Sequence, residues 1–315
     1  MTQGAGRSFY AHVAPPALSA VLFLASMALP PLAMFAAAPL YYSIVSHGHK
    51  AGAGWAVVAA MAVFLIGGPA VAAIYIGTCV SAAFALSSSF FKDDSLERTL
   101  AKAAIVSSLA GFAVFYAAVE MSGGNAIDAP QRIAGMAVHT AMESYKQVNA
   151  DPEVINWLSE NGKSLAEVFA RLFPSMAFLS ALTMAAMNIM AIRAASLRFG
   201  LGIYFKNHSL AELRASDWLV WGVVAGGAGS MFAEGAAQTV ALNVLICVMG
   251  AYMVQGLALI HYFFMKAQVH VILRAIGYFV IFSQPPLILV MSGLGLMDVW
   301  AEFRKKKTDT PEEQS

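Results

Sequence analysis

Apolar residues run through this chain in long blocks with few charges among them. Eight blocks reach or approach the roughly 20 residues a helix needs to cross a bilayer. They are 15–42, 52–68, 69–91, 101–121, 169–195, 218–233, 236–265 and 269–300. The pattern predicts an all-α fold, a polytopic transmembrane helical bundle of about eight membrane segments. Gly67-Gly68-Pro69 predicts a tight turn between the second and third. The first and last blocks are longer than one straight pass requires, and each contains a Pro-Pro pair, Pro30-Pro31 and Pro285-Pro286. Proline removes a backbone donor and clashes with the preceding turn, so each block is expected to kink or split there.

Polar residues mark the boundaries. Asp94-Ser95-Leu96-Glu97, Ser164-Leu165-Ala166-Glu167 and Ser209-Leu210-Ala211-Glu212 have capping-box spacing and predict three helix starts. Residues 122–168 are the least apolar internal stretch and read as an extramembrane helical insertion of two or three short helices. Asp151-Pro152-Glu153 predicts a start there and Gly162 a stop. The expected organisation is one multi-pass membrane domain over 1–303, carrying this insertion, followed by a charged, disordered tail over 304–315.

Composition agrees with a membrane environment. The 315 residues are 59% hydrophobic and 12% charged, where a soluble domain carries roughly 25% charged residues. Between Ala11 and Phe91 the sole charged side chain is Lys50. A net charge of +1 gives no basic field for nucleic acid. Cys79 and Cys247 both fall inside apolar blocks and read as small core residues, not a disulfide or a metal pair. The first block is too long for a signal peptide's apolar region, so it is expected to stay as a membrane segment.

Basic residues near segment ends set orientation. Lys92, Arg98 and Lys102, then Arg193, Arg198, Lys206 and Arg214, then Lys266 and Arg274, and the run Arg304 to Lys307 are all placed inside. The acidic 122–168 insertion is placed outside. Arg274 and the tail can both be inside only if the last block enters and returns. Each limb would then be about 22 Å, against a core of roughly 30 Å. Bent or re-entrant hairpins at both Pro-Pro pairs, with both termini inside, are therefore expected.

Candidate chemistry concentrates between Asn243 and Lys266. This stretch has no charge before Lys266 but contains Asn243, Gln255 and His261, which must face other helices or a wet cavity. Gln255 and His261 stand about 120° apart on the helix and cannot share a face. His261 precedes Tyr262-Phe263-Phe264, so it is either a cavity residue or an interfacial one. Asn243, Cys247 and Gly250 form a small-residue stripe. So do Ala177, Ala181, Asn188, Ala191 and Ala195 on the fifth block, and such stripes let membrane helices pack closely. Both Asn243 and Gln255 are expected to be buried in interhelical bonds. Glu234 and Gln238, four apart, either bind a cation, a proton or a solute within the membrane, or sit at a surface loop marked by Gly235. The Pro-Pro breaks, the second beside Ser283 and Gln284, are either solute sites of freed backbone groups or plain kinks. Asn188, Glu234, Gln238, Asn243, Gln255, His261 and Gln284 are thus the candidate solute-binding residues. No residue is assigned a catalytic or metal-binding role and no cofactor is expected. Metal-ligand spacing, a phosphate loop and a Gly-x-Ser-x-Gly elbow are all missing from the sequence.

Two motifs carry a resemblance. Asn243, Gln255-Gly256-Leu257-Ala258 and Ile260-His261-Tyr262-Phe263-Phe264 resemble the Asn…Gln-Gly-Leu…His-Phe-Phe pattern of the YybS-like bacterial membrane proteins. Gly293-Leu294-Gly295-Leu296-Met297-Asp298-Val299-Trp300, with Phe303-Arg304-Lys305, resembles that family's closing signature. The family is regarded as distantly similar to the substrate-capturing subunits of energy-coupling-factor transporters. The resemblance implies a non-enzymatic, solute-binding or transport subunit of the bacterial inner membrane. It would lack an ATPase of its own and work with a separate energising subunit. A scaffold holding a protein partner through 122–168 or the tail is the alternative. Asp298 is expected to pair with Arg304 or to cap the last helix.

Overall fold

A computed structural model describes residues 2–148, 151–200, 211 and 213–304. The helix start expected at Ser209-Leu210-Ala211-Glu212 and the tail from 305 onward lie outside the described residues, Ala211 apart. Every regular element among those residues is a helix. The order is α1 (Thr2–Ala25), a 3-10 helix (Pro30–Phe35), α2 (Ala37–Tyr75), a π turn (Ile76–Val80) and α3 (Ser81–Phe91). Then come α4 (Leu96–Met121), α5 (Ala129–Gln147), α6 (Pro152–Phe199), α7 (Leu219–Phe232), α8 (Gly235–Lys266), α9 (Val271–Ser283) and α10 (Pro285–Ala301). They form two compact units, residues 1–205 and 206–315.

The chain is a membrane protein. Four helical stretches are long and apolar enough to cross a bilayer: Pro30–Phe91, Leu96–Met121, Pro152–Phe199 and Gly235–Lys266. The pair α9–α10, bent by 106° at the second Pro-Pro site, makes a fifth if it counts as one span. Leu65 and Ile66 are 77% and 74% exposed in a segment without charge, a surface suited to lipid. The expected count of about eight is not reached. The block at 218–233 forms a helix of 14 residues, about 21 Å long, short of the roughly 30 Å core. The blocks at 52–68 and 69–91 belong to one helical run, with breaks at Gly48 and Gly68.

Those two glycines shape the first unit. Both have φ of +82° with extended ψ, which a side chain would strain. At Gly48 the chain doubles back. A Cβ on Gly52 would lie 2.7 Å from the Ile44 Cα, although residues eight apart on a straight helix are about 12 Å apart. The Gly68 break falls within the expected Gly67-Gly68-Pro69 turn. Leu40, Tyr41, Ile44 and Val63 of α2 are fully buried in the resulting core.

Three boundary expectations are corrected. Helix α4 is capped by Ser95, whose Oγ accepts from the Arg98 N–H at 3.5 Å; Asp94 instead pairs with Lys102 at 3.6 Å. Helix α6 does start at Asp151-Pro152-Glu153, with the Asp151 carboxylate accepting from the Glu153 N–H at 2.9 Å. It then runs 48 residues without a stop at Gly162 or a start at Ser164. An interior glycine costs a helix only about 1 kcal/mol. Gly162 has a packing role: a Cβ there would come within 2.9 Å of Val138 on α5. The 122–168 segment is therefore α5 plus the first turns of a helix that continues through the apolar block.

In the second unit, α7 and α8 form a hairpin and α10 lies along α8. A Cβ on Gly226 of α7 would meet the Ala241 carbonyl at 3.0 Å. The α8–α10 approach is closer still. A Cβ on Gly256 would overlap the Met291 carbonyl, and one on Gly295 would overlap the Tyr252 carbonyl. Glycine at these two positions is what allows the backbones to touch.

Candidate functional site

Of the seven candidate residues, Asn188 lies in the first unit and the other six in the second. Asn188 is fully buried on α6. Its Nδ2 donates to the Met34 carbonyl at 2.8 Å and to the Met184 carbonyl at 2.7 Å. Met34 belongs to the 3-10 turn that starts at Pro30-Pro31. The neighbouring Ala36 carbonyl accepts from Ser19 Oγ at 2.6 Å, and Ser19 is also 2.7 Å from the Tyr75 hydroxyl. Side chains from α1 and α6 thus take up carbonyls at the first break. Asn188→Leu leaves the Met34 carbonyl without this donor and should cost about 1–3 kcal/mol. An unchanged melting midpoint in detergent would show that Asn188 is no brace.

In the second unit, Gln255 is fully buried with both ends of its amide engaged. Its Oε1 accepts from the Ala215 N–H at 2.8 Å, and its Nε2 donates to Asp298 Oδ2 at 2.9 Å. Asp298 pairs with Arg304, as the sequence led one to expect. Arg304 also donates to the Ala211 and Leu213 carbonyls at 2.7 and 2.9 Å. These five contacts tie the segment before α7 to α8 and to the end of α10.

The other five are dispersed. Glu234 stands exposed at the α7–α8 turn, followed by Gly235 with φ +60°. Gln238 donates to the Ser230 carbonyl at 3.1 Å across that turn. Asn243 donates to the Thr239 carbonyl of its own helix at 2.8 Å. His261 Nδ1 is 2.9 Å from the Tyr278 hydroxyl, joining α8 to α9. Gln284 is exposed at the α9–α10 bend. No two of these five share a hydrogen bond described above.

One cavity, lined by hydroxyls and rings, involves none of the seven. It lies in the first unit between the π turn, the middle of α4 and α6, with a volume of about 200 Å³. Four hydroxyl residues line it, Thr78, Ser107, Ser108 and Ser180, together with three rings, Phe112, Phe115 and Phe173. The rings pack on one another, with centroids 5.7 Å apart for Phe112–Phe173 and 5.0 Å for Phe115–Phe173. The π turn inserts an extra residue into the helical run, a device frequent at functional sites. Ser107 is 3% exposed and its Oγ has no hydrogen-bond partner. A buried hydroxyl without a partner costs on the order of 1–3 kcal/mol. A second, almost wholly apolar cavity of about 480 Å³ between α5 and α6 shares Phe173 and Ala177 with the first.

Sequence reasoning passed over these hydroxyls because each is short and can bond to its own helix, so none looks costly in an apolar block. The available signal was the Ser107-Ser108 pair inside the apolar block 101–121. Ala177 and Ala181, singled out as a packing stripe, in fact border the cavity. Among known families, one described as "Predicted membrane protein (DUF2232)" matches residues 17–299. No curated protein and no solved structure matches.

Proposed function

We propose that this chain, which belongs to the DUF2232 family of membrane proteins, is a small-solute-binding or transport subunit rather than an enzyme. The observation that carries the reading is the cavity at the middle of α4, bordered by Ser107 with its buried, unpartnered hydroxyl. Polar groups at such depth inside a membrane helix are costly unless matched, and they mark solute pathways. The resemblance to capture subunits of energy-coupling-factor transporters supports a separate energising partner and a bacterial inner-membrane location. The sequence supplies no phosphate loop that would make this chain its own motor.

Thermal unfolding of the purified protein against vitamins, amino acids, nucleobases and metal ions tests the reading. A ligand at 100 times its dissociation constant adds about 2.7 kcal/mol and raises the midpoint. A flat panel from folded protein overturns it and favours the scaffold reading. One observation supports that second reading: the 122–168 segment, which this reading places outside the bilayer, exposes Ile127, Met136 and Trp157 at 86%, 62% and 52%. Exposed apolar side chains outside a bilayer suit a protein partner.

A further inference from the structure

This inference rests on the reading of the α4–α6 cavity as a solute site and concerns which solute it takes. The lining contains no ionisable side chain. A charged group would enter this apolar depth without a counter-charge, and burial of an unpaired charge is prohibitive. The ring wall of Phe112, Phe115 and Phe173 offers both faces and edges, which favour a flat aromatic partner. The hydroxyls set the polarity of the match. Thr78 Oγ1 donates its proton to the Ile74 carbonyl at 2.7 Å, and Ser108 Oγ donates to the Ala104 carbonyl at 2.6 Å. Both oxygens therefore face a solute as acceptors. Ser107 Oγ, still unpartnered, can accept or donate. Pockets that hold drug-sized ligands measure roughly 300–1,000 Å³. About 200 Å³ suits one ring or a fused pair.

We infer that the cavity between the π turn, α4 and α6 binds a small uncharged aromatic molecule bearing an N–H or O–H donor, of the size of phenol or indole. A lipid or detergent chain would satisfy the rings but leave Ser107 unpartnered, so it is the weaker occupant.

Gly111 provides the test. A Cβ there meets only Thr78 Cγ2, at 4.0 Å, so Gly111→Leu fills the cavity without a backbone clash. Ala177→Leu fills it from α6 and serves if the first variant fails to fold. Ser107→Ala removes the unpartnered hydroxyl and adds no volume. Full-length protein in nanodiscs is titrated with indole and phenol, with the charged analogues indole-3-acetate and tryptamine, and with dodecanol as the alkyl probe. Binding is read by saturation-transfer NMR and by the melting midpoint. Indole or phenol should bind saturably, with binding abolished in the filled variant and weakened about tenfold in Ser107→Ala, while the charged analogues do not bind. Saturable binding of a charged analogue that Gly111→Leu abolishes would overturn the ligand class and leave the solute-binding reading standing. The same would hold if dodecanol bound and the aromatics did not. Indole binding unaffected by either filled variant would overturn the site. No binding of any probe to folded protein would overturn the ligand class, and a flat panel of vitamins, amino acids, nucleobases and metal ions on the same sample would remove the solute-binding reading as well.

Discussion

Gly295→Ala is expected to lower the melting midpoint of the detergent-solubilised protein by about 6–12 °C, at roughly 2–4 °C per kcal/mol for a chain of this order of size. The added methyl would overlap the Tyr252 carbonyl of α8. Overpacking a core typically costs about 1–3 kcal/mol because side chains shift to absorb it. Here the obstacle is backbone, which no rotamer change can move, so the cost should lie at or above the top of that range. Gly256→Ala, facing the Met291 carbonyl, should behave alike. Gly293→Ala is the internal control. It lies on the same helix with nothing within 4 Å of its would-be Cβ, and helix propensity favours alanine over glycine by about 1 kcal/mol. It should leave the midpoint unchanged or raise it. Equal losses at Gly293 and Gly295 would show that the close approach is not what glycine serves.

Arg304→Met should cost about 3–5 kcal/mol, the usual result of stranding one partner of a buried ion pair. Asp298 is 2% exposed, and without Arg304 its Oδ2 keeps only Gln255 as a donor among the bonds described. The Ala211 and Leu213 carbonyls also lose their donor. The double variant Asp298→Asn/Arg304→Met removes the stranded charge. It should be more stable than the sum of the single losses, the signature of direct coupling. High salt should change the Arg304→Met loss little, because buried pairs are screened weakly. The exposed Glu143–Lys146 pair on α5, at 3.0 Å, is the contrast. Strict additivity of the two substitutions would mean that Asp298 and Arg304 do not act as a unit.

How much the sequence disclosed depends on how local each cause is. The Pro-Pro breaks were legible because a missing N–H and a ring clash act within one turn, and both breaks appear at Pro30 and Pro285. The pairing of Asp298 with Arg304 was legible for the same reason, being six residues apart. Asn188 was found as a polar residue in a small stripe. Its partner Met34 lies 154 residues away and leaves no trace in local pattern. Gly162 and Ser164 misled because boundary residues carry only about 1 kcal/mol each, and packing against α5 outweighs that. The count of about eight spans is not confirmed because apolar composition does not say where a run reverses: Pro30–Phe91 passes as one stretch by length and composition, yet it turns at Gly48 and breaks at Gly68. The cavity was illegible because it arises where three segments fail to close, a property of shape rather than of any one residue.

Helix α6 runs 48 residues with Pro174 in its interior, about 72 Å along its path, and proline donates no N–H to the helical ladder at that point. Near its start it carries Gly162 against α5, further along it walls the cavity with Phe173 and Ala177, and beyond that it holds the first Pro-Pro break through Asn188. Mechanically this is a lever with a proline joint at Pro174, next to Phe173 of the cavity wall. A bend of about 5° there swings the arm before it, roughly 33 Å long, by about 3 Å at its tip. Whatever grips α5 therefore has leverage on the volume beside Ser107, with no contact to the cavity itself.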